Sequence, residues 1–293
     1  MKVSVLAAAT AIFAQVYGHG GIFNYTIDGV EYAGHYPWLP EEGQNSIQRR
    51  WWPDPIYRMD HPYLACNRGY PLATSLPKLH APVRAGGNIT AWWRAPACPT
   101  NPPVPFPTKP ALEGWDEYPT PLQCYGPEFS WSHTQGPVMV YMADCGGPCD
   151  EWDGTGKRWF KIWESGYYMS GWGPDSGARG DDWPVNAGSI VWAQNKMVRG
   201  GITVTVPKDL KPGHYMIRHE IINIEYSLQF FPECAQLEVT GEGDKVPSEE
   251  YLAQFPGEYT LEDPGIYLGG KLLQEPAYHM FNYTMPGPKV WAP

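Results

Sequence analysis

After its first eighteen residues this 293-residue chain has no uninterrupted apolar run long enough to span a bilayer as a helix. That excludes a helical membrane protein and points to a soluble mature form. Charge is scarce, at 18% of residues, and its formal balance is −10. Lys and Arg form no cluster; Gln48-Arg49-Arg50 is the nearest approach to one. Most of such a surface would repel a polyanion, which excludes nucleic acid as a partner. No apolar stripe of helical period runs for a useful length, so a helix bundle is excluded as well. Paired CxxC spacing is missing, and with it the usual frame of a zinc cluster. No pair of carboxylates can be given acid and base roles, so a classical glycoside hydrolase fits poorly.

What the chain has in quantity is glycine and proline, 32 of each, and an apolar share of 43%. That mixture favours strands joined by long, defined loops around an ordinary core. Runs at 88–94, 136–142, 159–164, 188–193, 201–206, 214–226 and 235–240 are rich in β-branched or aromatic residues. Gly, Pro or Asp flank each of them. Seven or more strands at this spacing, with no repeat period, predict an all-β protein built as an antiparallel β-sandwich. Residues 19–293 read as one domain. Within it 30–63 form a long aromatic loop, 96–129 a Pro-rich insertion, and 241–293 an extended C-terminal arm. The 14 Trp and 19 Tyr suit a neutral, carbohydrate-like partner, although most of these rings belong to the core.

Residues 1–18 have the form of a secretory signal: a basic Lys2, an apolar stretch, and small residues ending at Gly18. Three sequons, at Asn24, Asn88 and Asn282, agree with secretion to the extracellular space and with glycosylation. Six cysteines in a secreted chain read as three disulfides out of fifteen pairings. Cys145 and Cys149 can close a tight loop. Cys98 and Cys124 bracket the Pro-rich insertion, which leaves Cys66 with Cys234.

Cleavage after Gly18 would make His19 the first residue, where its α-amine and imidazole could chelate one metal ion together. Cleavage elsewhere, or a merely exposed histidine, weighs equally on this signal alone. His133, just before the run at 136–142, is placed for ligation at a strand mouth, although a lone histidine is more often structural. The two residues together would offer three nitrogens in a planar set, an arrangement that suits Cu(II). In 218–234, a regular strand would put Gln229 and Phe231 on one face, as a polar and an aromatic neighbour to a site or as a buried ring beside an incidental amide.

The ordered set of motifs resembles a family. "HGG" after the leader, "ACNRG", "HTQGPVMVYMADC", "LKPGHYMIRHEII", "QFFPECAQLEV", "FPGEYTLEDPGIYL" and "YTMPGPKVW" are similar to those of fungal copper-dependent lytic polysaccharide monooxygenases, auxiliary activity family nine. They cover nearly all of the mature chain. The resemblance implies an immunoglobulin-like sandwich with a flat face, on which His19 and His133 brace one copper ion. It matches Cys66–Cys234 and Cys145–Cys149 to family disulfides; Cys98–Cys124 has no usual counterpart. Phe231 stands at the axial copper position, where the family usually has tyrosine. Glu225 stands where the family usually has a histidine close to the copper ligands, either as a proton donor or acceptor beside Gln229 or as filler of a shortened loop. Tyr259 corresponds to a surface tyrosine that contacts substrate.

The implied function is oxidative cleavage of cellulose or a related β-glucan at C1 or C4. It would use O2 or H2O2 and an external electron donor, a small molecule or a redox protein, with the enzyme a monomer. The alternative is a secreted copper-binding or carbohydrate-binding protein of the same fold with little turnover.

Overall fold

The computed structural model describes residues 19–67, 75–101, 124, 127–131, 133, 135–169, 190–192, 194, 201–224, 227–266 and 283–293. Residues 1–18, Glu225 and Asn282 lie outside them, as do much of 96–129 and part of 241–293.

Two sheets face one another. The first holds β1 (Gly21–Ile27), β2 (Val30–Ala33), β4 (Asn88–Ala95) and β10 (Ile202–Thr205), in the order β10-β4-β1-β2. Short β5 (Phe129–Ser130) pairs with β4. The second has the order β13-β7-β6-β11-β12-β3. Its members are β3 (Ala81–Arg84), β6 (Val138–Asp144), β7 (Trp159–Ser165), β11 (Gly213–Asn223), β12 (Gln229–Thr240) and β13 (Leu252–Ala253). A small ribbon of β8 (Tyr167–Met169) and β9 (Ile190–Trp192) stands apart. Among the described residues no helix is long and apolar enough to cross a membrane.

The all-β sandwich agrees with the sequence reading, with one correction. The sheets are antiparallel except that β3 runs parallel to β12, Leu237 opposite Ala81 and Thr240 opposite Arg84. A parallel partner must be reached by a long crossover, and here the chain from β4 to β11 lies between β3 and β12. Pro82 is tolerated there because β3 is an edge strand.

The second sheet is buried on both faces. Val138, Val140 and Met142 of β6 point between the sheets, while Met139, Tyr141 and Ala143 enter a second core beneath the loops. A strand covered on both sides reads as an unbroken apolar run, as "VMVYMA" does. Tyr215, Ile217 and Ile221 of β11 join the inner core, and Met216 and Ile222 the outer. Each large side chain so buried stabilises the fold by about 1.5–3 kcal/mol.

Three disulfides tie the loops down: Cys66–Cys234 within the outer core, Cys98–Cys124 across the insertion, and Cys145–Cys149. The arm runs along β7. Lys161 Nζ donates to the Pro286 carbonyl at 2.7 Å, Trp291 N donates to Lys161 O at 2.8 Å, and the Trp291 ring meets Phe160 edge-on in the core. Of the sequons, Asn88 is exposed at the start of β4, whereas Asn24 is half-buried on β1 and bonded to Glu31.

Candidate metal centre

His19 precedes β1 at the end of the first sheet, and the two glycines after it are dictated by space. A Cβ on Gly20 would lie 2.5 Å from the Arg94 backbone, and one on Gly21 would lie 2.0 Å from Glu233 Oε1. His133 lies between β5 and β6. Its turn passes through Gly136, whose φ of +130° and closeness to the Ile222 carbonyl no side chain would allow. Ile222 N to Pro137 O and Ile224 N to Gln135 O, both 3.1 Å, fix this turn to β11.

These constraints bring His19, His133 and Phe231 together. Their rings form a near-equilateral triangle, with centroids 5.5 Å apart for His19–His133, 5.7 Å for His19–Phe231 and 5.6 Å for His133–Phe231. Trp131 closes the floor, edge-on to His133 at 5.3 Å and to Phe231 at 4.9 Å, with Trp93 behind it at 5.5 Å. Its indole N–H donates to Gln194 Oε1, and Gln194 Nε2 donates to the Ile222 carbonyl.

Burial holds the His133 imidazole down to about 4, with the neighbouring His19 adding to the effect. The His19 ring is also lowered by burial, against an opposing pull from Asp54. Both rings are therefore neutral near pH 7 and carry free lone pairs. His133 Nε2 is buried without a hydrogen-bond partner among the described residues. Imidazole nitrogens bind first-row ions at about 2 Å, so centroids 5.5 Å apart allow the two rings to share one ion. Among the described residues no group of three or more His, Cys, Asp or Glu could hold a metal.

Gln229 opens β12 on the same face as Phe231. Its amide is engaged locally, donating to Ser227 Oγ at 3.0 Å and accepting from Asn223 Nδ2 at 3.4 Å. Phe231 is buried and offers no oxygen to the centre.

Tyr259 is not a surface contact. It is only 4% exposed, and its hydroxyl donates to Glu220 Oε2 at 2.5 Å and lies 3.0 Å from the Tyr141 hydroxyl. Glu220 is paired in turn with the buried Arg218. The Tyr259 ring stacks on Phe230, so the residue packs against the back of β12, away from Phe231. Among the described residues Tyr57 is an aromatic 59% exposed, beside Ile56, which pairs with Phe230. Asp54 acts on both His19 and Tyr57. Sequence reasoning passed over Tyr57 because the same loop holds Tyr32, Tyr36, Trp38, Trp51 and Trp52. Of these the three tryptophans are buried and the two tyrosines half-buried. Trp131 was also missed, although its place two residues before His133 in a strand-like stretch is a usable signal.

The chain is similar to solved polysaccharide monooxygenases. The chain matches the crystal structure of HiLPMO9B with a TM-score of 0.67 and 31% identity, over 94% of this chain and 100% of that one. It matches a cellulose-active polysaccharide monooxygenase from M. thermophila with a TM-score of 0.64 and 29% identity, over 93% and 99%. The protein is thus a lytic polysaccharide monooxygenase. The profile of Auxiliary Activity family 9, formerly GH61, fits residues 19–278, and the chain belongs to that family. AA9 family lytic polysaccharide monooxygenase B of Heterobasidion irregulare is 33% identical over 99% of this chain and 98% of its own length. Lytic polysaccharide monooxygenase D of Thermothelomyces thermophilus is 32% identical over 93% and 88%.

Proposed function

We propose that the centre is a histidine brace for one copper ion. The observation that carries this reading is the buried Nε2 of His133, without a hydrogen-bond partner among the described residues, on a ring 5.5 Å from that of His19. Removal of residues 1–18 would free the α-amine of His19 as the third nitrogen, and the family match begins at that residue. Two neutral imidazoles and an amine form the planar nitrogen set that Cu(II) favours. When bound, copper supplies one-electron redox chemistry toward O2 or H2O2, with electrons from an external donor.

Phe231 would present an apolar ring, with no oxygen to offer, to a copper ion held by His19 and His133. Trp131 and Phe231 pack against the two imidazoles and would hold them in place. Gln229 stands on the Phe231 face, where it could hydrogen-bond O2 or H2O2 brought to the site, with Glu225 as a candidate proton carrier. With O2 the balance is R–H + O2 + 2e⁻ + 2H⁺ → R–OH + H2O; with H2O2 it is R–H + H2O2 → R–OH + H2O. Hydroxylation at C1 or C4 of a glucan then lets the glycosidic bond break. Cellulose or a related β-glucan is the proposed substrate, because one matched structure is of a cellulose-active enzyme. Tyr57 replaces Tyr259 as the proposed sugar-facing ring. Secretion, glycosylation at Asn24, Asn88 and Asn282, and a monomeric state complete the proposal.

The test is incubation of the copper-loaded mature protein with a reductant and, separately, cellulose, xyloglucan and glucomannan. Oxidised oligosaccharides that vanish in His133→Ala are expected. Tight copper binding without products on any glucan would support the non-catalytic copper-binding reading instead.

A further inference from the structure

Three residues of β12 alternate along the face that looks between the sheets: Gln229, Phe231 and Glu233. Phe231 touches the His19 ring. Glu233, roughly 7 Å further along the strand, reaches the same N-terminal segment three residues on. Its Oε2 accepts the Ile22 backbone N–H at 2.8 Å and the Gln48 amide at 2.6 Å. The pairing of β1 with β4 shifts register between Ile22 and Asn24. A bulge of this kind frees backbone groups from the ladder, and here a buried side chain takes the donor. Gln48 passes the contact on by accepting the His35 N–H at 2.7 Å. Trp51 lies 2.6 Å from where a Gly21 Cβ would stand, and its indole N–H donates to His35 O. Glu233, Gln48 and Trp51 are all buried.

We infer that Glu233 is a positioning residue, gripping the Ile22 amide beneath Gly20–Gly21 so that His19 is presented to His133 at a fixed depth. Two ladder pairs, Gly21 with Arg94 and Ile22 with Trp93, lie on the His19 side of the bulge, which separates them from the regular part of β1; the Glu233 contact ties this short end to the second sheet. The inference rests on the copper-site reading above. Glu233 touches neither the metal nor the substrate; it acts only through the backbone that carries His19.

The experiment uses the mature protein starting at His19 and reads Cu(II) affinity by competition titration, the Cu(II) EPR spectrum and copper-free thermal unfolding. Glu233→Gln keeps a carbonyl acceptor and is expected to stay within about threefold of wild-type affinity with the same spectrum. Glu233→Met keeps the length but loses the acceptor. It is expected to weaken copper about 10- to 100-fold, the usual effect of removing a group that orients a ligand, and to change the spectrum. Should Glu233→Met fail to fold, Gly21→Ala serves, because its Cβ would displace the same carboxyl, and the same loss is expected. Val239→Ala, a core change on β12 away from the centre, is the control and should lower unfolding temperature alone. Wild-type affinity and spectrum in the folded Glu233→Met or Gly21→Ala protein would overturn the inference, as would an equal copper loss in Val239→Ala. A wild-type chain that binds no copper would instead refute the site itself.

Discussion

Replacing Tyr259 by phenylalanine separates two roles that one residue cannot hold together. The structure gives its hydroxyl two partners, Glu220 Oε2 at 2.5 Å and the Tyr141 hydroxyl at 3.0 Å, in a part of the outer core closed to water. The substitution keeps the ring against Phe230 and Phe255, so packing is retained and only the hydrogen bonds are lost. A hydrogen bond to a charged group contributes about 1.5–3 kcal/mol. Glu220 keeps its two-pronged contact with Arg218, at 2.6 and 2.8 Å, which places the loss at the lower end, about 2 kcal/mol. For a domain of this size that is a fall in Tm of about 4–8 °C. Calorimetry of the copper-free protein measures it, and a binding isotherm on insoluble glucan measures the other role. We expect Tyr259→Phe and wild type to bind glucan equally. Unchanged Tm with weakened glucan binding would refute the buried placement and return Tyr259 to the substrate face.

Tyr57→Ala is expected to weaken glucan binding about 2- to 10-fold, the scale of one aromatic contact, with copper affinity unchanged; an identical isotherm would remove Tyr57 from the substrate face. Burial pushes the Glu233 carboxyl well above its ordinary value of 4.5, with Tyr25 facing it from β1 and His219 opposite it on β11. Above pH 4.5 the unfolded chain releases a proton that the folded chain keeps. Stability therefore falls as pH rises toward the folded value, by up to about 1.4 kcal/mol per pH unit. Glu233→Gln should lack this decline. His35 and His219, both held down to about 3, add stability as pH rises from 3 to 6.5, and they cancel in the difference between the two unfolding curves. Parallel curves would contradict the assignment. Replacing Cys66 and Cys234 together by serine reopens a loop with a sequence separation of 168 and should cost about 5 kcal/mol in the loop-entropy account. Denaturant unfolding checks this, and a loss below about 1 kcal/mol would show that the bond constrains little.

The elements legible in the sequence are those whose pattern is local. β4, β6, β7, β10 and β11 lie where β-branched and aromatic runs place them, with ends displaced by a few residues at most. β1 was missed because its bulge breaks the alternation after Ile22. The run read at 235–240 is only the end of β12, which begins at Gln229 and contains Pro232. The missing N–H of Pro232 does no harm there. Phe230 and Gln236 donate to Ile56 and Ile47 on that flank, while Cys234 accepts from Arg49. Pro232 falls in the gap between these loop contacts. The His19–His133 pair was legible because a leader cleavage site and a strand mouth are both sequence signals. Tyr259 was not, because its burial depends on Arg218 and Glu220, which no pattern around residue 259 reveals. Glu233 went unnoticed for the same reason, its partner amide lying 211 residues away.

The account stands most directly on the terminal nitrogen of His19. Cu(II) titration of the mature chain should be compared with the same chain acetylated at the His19 α-amine. The mature chain is expected to take up one equivalent, and the acetylated chain to bind at least about 100-fold more weakly for want of the chelating amine. Equal affinity in the two chains would contradict it.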